Sequence, residues 1–162
     1  GLEVEGIWKP GATTTIRASL GTLNSGLDEY DYNGENIASR ANLLYAPELT
    51  WSIGAEHMLP FLGGELILNA NLSLQDEVYT QTPWAIYDPD TYAKITIDEW
   101  ESLDISATYL RDTDNGTFKV ILYGTDVLED GNRVQRRFTT GSFTWAELAP
   151  RQQFGLTIGY EF

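Results

Sequence analysis

The chain has 162 residues, one ordinary domain's length, with 42% apolar, 12% aromatic and 21% charged residues and a formal net charge of -14. It contains no cysteine, which excludes disulfide frameworks, thiolate metal sites and cysteine nucleophiles, and its acidic balance argues against nucleic-acid binding, which needs a basic face. The longest purely apolar run, near Met58 to Leu62, is about five residues, far short of a transmembrane helix. The opening GLEVEGIWKP has no basic segment followed by an apolar stretch, so no signal peptide is expected.

Hydrophobic alternation with a period of two runs through the chain and predicts strands. Leu2, Val4 and Trp8 oppose Glu3, Glu5 and Lys9. After a tight KPGAT connection, Ile16, Ala18 and Leu20 oppose Thr15, Arg17 and Ser19. A long polar segment follows, from about Asn24 to Ala46. Leu49, Trp51, Ile53, Ala55 and Leu59 then oppose Thr50, Ser52, Gly54 and Glu56. PFLGG turns the chain into Leu66, Leu68, Ala70, Leu72 and Leu74 against Glu65, Asn69, Asn71, Ser73 and Gln75. The second long segment covers about Thr80 to Ile97. Leu103, Ile105, Ala107 and Tyr109 oppose Ser102, Asp104, Ser106 and Thr108. DTDNG is a third tight turn, and Asn115-Gly116 is predicted as a type I′ pair, both residues at positive φ. Phe118, Val120 and Leu122 oppose Thr117, Lys119 and Tyr123, with Ile121 as an exception. A third long segment, from about Glu129 to Pro150, precedes the last strand. There Phe154, Leu156, Ile158, Tyr160 and Phe162 oppose Arg151, Gln153, Gly155, Thr157, Gly159 and Glu161.

These are seven strands, most of about 9–12 residues, whereas globular strands average roughly five or six. A tilted strand crossing a bilayer needs about 9–11. Short turns alternate with long loops, as in bacterial outer-membrane barrels, and a compact soluble domain rarely carries three structureless loops of that length. The apolar rows hold no charge deep within a strand, where a Lys or Arg facing lipid would cost about 2–4 kcal/mol. Trp8, Trp51, Tyr79, Trp100, Tyr109, Tyr160 and Phe162 lie near strand ends and fit interfacial girdles. The expected fold is an all-β, antiparallel transmembrane barrel segment in an up-and-down meander. Seven is an odd count, and an open sheet edge has no place in lipid, so the chain reads as a piece of a longer barrel.

No catalytic set, cofactor or metal site is assigned. His57 falls on the outward row without a convincing serine partner and reads as an interfacial histidine. Glu29, Asp31, Asn33 and Gly34 match a calcium loop only loosely, since Arg40 stands where the closing Glu belongs. Arg133, Arg136 and Arg137 form a basic cluster able to meet lipopolysaccharide phosphates or an anionic ligand. The favoured reading is a solvated loop in which Glu129, Asp130 and Glu147 balance it. The first long loop nets -3 (Asp28, Glu29, Asp31 and Glu35 against Arg40), as does the second (Asp88, Asp90, Asp98 and Glu99 against Lys94). Tyr30, Tyr32, Trp84, Tyr87, Tyr92, Phe143 and Trp145 sit among these charges and are candidate ligand-contact residues.

Five segments in order carry a resemblance. They are GLEVEGIWKPGATTTIRASLGTL, YAPELTWSIGAEH, GGELILNANLSLQDEVY, SLDISATYLRDTDNGTFKVILYGTDVLED and APRQQFGLTIGYEF. Each resembles a late barrel strand of the TonB-dependent outer-membrane receptors, so residues 1–162 resemble the C-terminal part of that barrel. One departure is Asp126-Val127, where the family usually has Asn-Leu. The resemblance implies a 22-stranded barrel with a plug domain and TonB-contacting segment outside this chain. It further implies energised uptake of a siderophore, cobalamin or saccharide in the bacterial outer membrane. The implied partners are lipid and lipopolysaccharide, the small-molecule ligand, the TonB complex through N-terminal regions, and the barrel-assembly machinery. Phe154, Leu156, Ile158, Tyr160 and Phe162 resemble the C-terminal signal that the assembly machinery reads. The alternatives are a small stand-alone outer-membrane barrel with a structural or adhesive role, a soluble β-sandwich binding module, and a membrane enzyme lacking a nucleophile–base set.

Overall fold

The structure is a computed structural model that describes residues 1–81, 95–128, 133–140 and 142–162, with Arg40 as backbone only. Seven long strands form one antiparallel sheet. They are β1 (Leu2–Trp8), β2 (Thr14–Thr22), β3 (Leu49–Phe61), β4 (Gly64–Gln75), β5 (Trp100–Thr113), β6 (Gly116–Thr125) and β7 (Gln153–Glu161). Each pairs with its neighbours in sequence, giving the spatial order β1-β2-β3-β4-β5-β6-β7. Among the described residues the sheet stays open, and β1 and β7 do not pair with each other.

Register carries the alternation from strand to strand. Leu20 pairs with Trp51, Trp51 with Leu74, Ile53 with Leu72, and Leu72 with Leu103. Tyr109 continues to Val120 and Val120 to Ile158. One face is therefore apolar across all seven strands, as the alternation predicts. Its only charged side chains are Glu101 and Arg111, near the two ends of β5, and His57 lies near the short-turn end of β3. No second layer covers this face among the described residues. Ile53, Ile105, Leu122, Phe154, Leu156 and Ile158 are all exposed. Conventional globular packing would bury such a face against another layer.

The buried apolar side chains instead belong to the long connections. Ile37, Ala38 and Ala41 come from the first, Val78, Ile95 and Ile97 from the second, and Ala149 from the third. This corrects the expectation of structureless loops. Asp31–Tyr32 pairs with Glu35–Asn36, Val78–Tyr79 with Thr96–Ile97, and Val134–Thr139 with Thr144–Leu148. A bridge from Leu44 to Tyr79 links the first connection to the second. The Val134–Leu148 hairpin packs beside Thr96–Ile97. Buried backbone groups must be hydrogen-bonded, and these short ladders supply the partners that a long apolar-centred loop would otherwise lack.

The turns differ from expectation in an instructive way. Asn115-Gly116 is not the type I′ pair. Thr113 pairs with Gly116, so the two-residue loop is Asp114-Asn115, and neither residue has positive φ. Positive φ at both turn positions occurs instead at Leu62-Gly63 (46° and 76°) and Asn33-Gly34 (52° and 83°). Asn33-Gly34 therefore closes a miniature hairpin rather than the start of a calcium loop.

Two of the proposed girdle aromatics are also misplaced. Trp100 pairs with Gln75 on the polar face, and Tyr79 belongs to the loop ladder. The others do lie on the apolar side. Tyr109 donates to the Leu62 carbonyl at 3.1 Å and meets Phe61 edge-on with ring centroids 6.0 Å apart. Tyr160 and Phe162 stack at 6.4 Å, and the Tyr160 hydroxyl lies 3.0 Å from that of Thr113.

Candidate functional site

The polar face of the sheet is built from small and hydrogen-bonding residues. One row runs Ile7–Arg17–Gly54–Asn71–Asp104, each residue opposite the next. The adjacent row runs Thr15–Glu56–Asn69–Ser106–Tyr123–Gly155. Gly54 leaves a gap beside Arg17, and a Cβ added there would sit 3.1 Å from Asn71 Oδ1. Two grooves of about 430 and 440 Å³ meet at Arg17, Gly54 and Asn71. A guanidinium, amides, hydroxyls and carboxylates facing one groove can bind a polar partner through many directional bonds. A less polar patch lies nearer the short turns, where Met58, Ile67, Thr108 and Ile121 fall in one row. Ile121, the exception in its strand, belongs to this patch.

At the long-loop end, β6 leaves the sheet through Asp126, whose φ is 52°. Its backbone N–H donates to Asp104 Oδ1 at 2.8 Å, and the next N–H, of Val127, donates to the Leu103 carbonyl at 2.9 Å. The Asp126 carboxylate pairs with the Arg133 guanidinium, and their side chains are only 12% and 20% exposed. That guanidinium also lies 4.7 Å from the centroid of the Trp100 ring. Asp104, Trp100, Asp126 and Arg133 thus fasten the start of the third connection to the polar wall. Asn and Asp tolerate positive φ better than other non-glycine residues. Asp126 holds that conformation and supplies a carboxylate for Arg133.

The described candidate ligand residues lie on two different hairpins. Tyr30 is half-buried beside the miniature hairpin, where its backbone N–H donates to Asn36 Oδ1 at 3.1 Å, and Tyr32 is exposed opposite Glu35. Trp145 stands opposite Phe138 on the Val134–Leu148 hairpin, and both are exposed, as is Phe143 at its tip. Trp84, Tyr87 and Tyr92 lie outside the described residues. The three arginines are dispersed. Arg133 holds Asp126, Arg136 pairs with Glu147 at 3.5 Å on the exposed side of the hairpin, and Arg137 faces the opposite side with its Nε buried. The balance by Glu147 is real. The charges of Asp88, Asp90, Lys94, Glu129 and Asp130 lie outside the described residues.

His57 shares its row with Thr14, and His57 Nδ1 lies 2.8 Å from the Thr14 hydroxyl. This is a cross-strand hydrogen bond at the rim. Phe154, Leu156, Ile158 and Tyr160 follow one another along a single face of β7, with Phe162 just beyond it. Sequence reading missed the fastening by Asp104, Trp100 and Asp126. Its one sequence signal was the Asp at the end of an alternating strand, a residue type suited to positive φ. No protein-family model matches the chain, and searches of curated proteins and of solved structures find no match.

Proposed function

We propose that the chain is part of the β-barrel of a TonB-dependent outer-membrane receptor, taking up a scarce ligand of the siderophore, cobalamin or saccharide class. One observation carries the membrane half of this reading. A continuous apolar face crosses seven strands with no protein layer over it among the described residues, behind a largely polar face. Its dimensions agree. The apolar row of β3 spans ten residue steps from Leu49 to Leu59, roughly 33 Å at about 3.3 Å per residue. A tilt of about 45° reduces that to roughly 23 Å, close to the ~25 Å apolar band of outer-membrane barrels. The receptor half rests on the ordered resemblance of the five segments. In this reading the polar face lines the lumen, the structured connections face outward, and TonB acts through regions outside these 162 residues. Lipid and lipopolysaccharide surround the apolar face, and the barrel-assembly machinery receives β7.

Residues 1–162 hold no cysteine, so sidedness can be read with thiols introduced into the full-length protein after any cysteine elsewhere in it is replaced. Ser142→Cys in the third connection should react with a membrane-impermeant maleimide on intact cells. Asp114→Cys in a short turn should react only after the outer membrane is permeabilised. Equal labelling of both on intact cells, or recovery of the protein outside the outer membrane, would reject the membrane reading. For the receptor half, cells carrying the full-length protein should take up a ferric siderophore, cobalamin or maltodextrin only when TonB is present. Uptake that persists without TonB would point to a passive barrel.

A further inference from the structure

The alternation of β7 leaves its pairing underdetermined. Leu156, Ile158 and Tyr160 are all large and apolar, as are Phe118, Val120 and Leu122 on β6. A one-residue slip would put the apolar row on the wrong face, but a two-residue slip would keep every side chain on its proper face. Something other than hydrophobicity must select the observed register.

Two adjacent pairs supply it. Tyr123 on β6 stands opposite Gly155 on β7, and Gly124 on β6 stands opposite Phe154 on β7. The pairs point to opposite faces. On the polar face, a Cβ added to Gly155 would come within 2.5 Å of Tyr123 Cε1, because the ring lies over the glycine. On the apolar face, a Cβ added to Gly124 would meet Phe154 Cε1 at 2.9 Å as well as Val127 Cγ1 at 2.7 Å. Each strand therefore contributes one aromatic ring and one glycine to seat the other's ring. By contrast, a Cβ on Gly159, further along β7, would meet nothing within 4 Å.

We propose that this reciprocal Tyr123–Gly155 and Phe154–Gly124 interlock is the register lock that fixes how the last strand docks on the sheet. Slipping by two residues sets Tyr123 against Gln153 or Thr157, and Gly124 against Gln152 or Leu156. Slipping by four residues in one direction brings Gly159 under Tyr123 but leaves Gly124 facing Ile158. Only the observed register seats both rings. Aromatic cover of glycine is a known means of pinning strand pairing, and here it acts on both faces at once. The lock needs no membrane, so its test stands apart from the functional reading above.

The test uses disulfide trapping in the full-length protein. Ile121→Cys with Thr157→Cys reports the observed register, and Lys119→Cys with Thr157→Cys reports a two-residue slip. The first pair should cross-link efficiently and the second poorly. Adding Gly155→Val should lower the ratio of native to slipped cross-link by roughly tenfold, as expected for overpacking under a fixed ring. Gly159→Val should leave the ratio unchanged. Removing the obstructing ring with Tyr123→Ala in the Gly155→Val background should restore native cross-linking. If Gly155→Val does not fold, recovery of folding in that double variant supports the lock and its failure overturns it. Native cross-linking that survives Gly155→Val, or that Gly159→Val damages equally, also overturns it.

Discussion

The uncovered apolar face predicts a sharp difference between two substitutions one residue apart. Ala70 lies near the middle of β4 on the apolar face, between Ala55 and Ile105, and is exposed. Asn71 follows it on the polar face, between Gly54 and Asp104. Ala70→Arg removes almost no apolar surface and breaks no side-chain hydrogen bond, so in water it should change stability by no more than about 0.5 kcal/mol. Facing lipid near the midplane, the same guanidinium costs about 2–4 kcal/mol. At ~1.4 kcal/mol per factor of ten, that is roughly a thirty-fold to several-hundred-fold loss of the folded form. Asn71→Arg places the same charge on the same strand but beside Asp104 and the gap at Gly54, and should stay within about 0.5 kcal/mol of the parent. The assay is urea titration of the full-length protein folded into phospholipid vesicles, with the folded fraction read from heat-modifiable gel mobility. Equal midpoints for the two variants, or a loss under about 0.5 kcal/mol for Ala70→Arg, would refute lipid contact at this face.

Three further outcomes follow from local geometry. Leu62 holds φ at 46° and is exposed, a conformation that costs most L-residues about 1–2 kcal/mol, so Leu62→Asn should raise the unfolding midpoint by an equivalent of roughly 0.5–1 kcal/mol. A lowered midpoint would show that Leu62 makes apolar contacts worth more than its strain. A double-mutant cycle on Asp126→Asn and Arg133→Ala, read by proteolysis of the third connection, should return a coupling of about 1–3 kcal/mol. A value near zero would mean that the backbone bonds of Asp126 and Val127 hold the connection without the ion pair. Trp145→Ala should alter stability by less than about 0.5 kcal/mol because the ring is 51% exposed, while lowering ligand uptake. A stability loss above about 2 kcal/mol would assign Trp145 to packing instead.

The seven strands and their two faces were legible because period-two alternation is a local property of the sheet. Each strand announces its own apolar side, and antiparallel pairing of neighbours simply aligns them. What the alternation could not convey depends on partners far along the chain. Ile37, Val78 and Ile97 sit in polar surroundings in the sequence, yet all three are buried, and Val78 pairs with Ile97. Arg133 looked like one member of a basic triplet, but it pairs with Asp126 and lies over Trp100, whereas Arg136 pairs with Glu147. The Asn115-Gly116 expectation failed for a related reason. Residue type favours a turn, whereas the strand register on both sides decides which two residues form it. Pairing Thr113 with Gly116 excludes Gly116 from the loop.

The distribution of side-chain size across the apolar face bears on what covers it. The rim near the short turns carries Trp8, Phe61, Tyr109 and Tyr160, with hydroxyls of Tyr109 and Tyr160 hydrogen-bonded at the edge. The middle mixes Ala18, Ala55, Ala70 and Ala107 with Ile53, Leu68, Leu72, Ile105 and Leu122. A hollow of about 460 Å³ opens there, lined by Leu68, Ile105, Ala107, Leu122 and Phe154 among others. The inner face of a sandwich has the opposite need, since its middle must interdigitate with a second sheet about 10 Å away at close-packed density. A rigid protein layer could fill a shallow middle bounded by aromatics only with large side chains matched to that hollow. Lipid chains conform to it without such matching, and amphipathic rings at the rim are what a membrane–water boundary favours. The hollow and the hydrogen-bonded aromatic rim therefore suit lipid contact, as the proposed function requires. The Ala70→Arg and Asn71→Arg pair separates the two, because a protein layer over Ala70 would make its substitution insensitive to the thickness of the bilayer. In lipid, the penalty should grow as the bilayer thickens and moves position 70 farther from water.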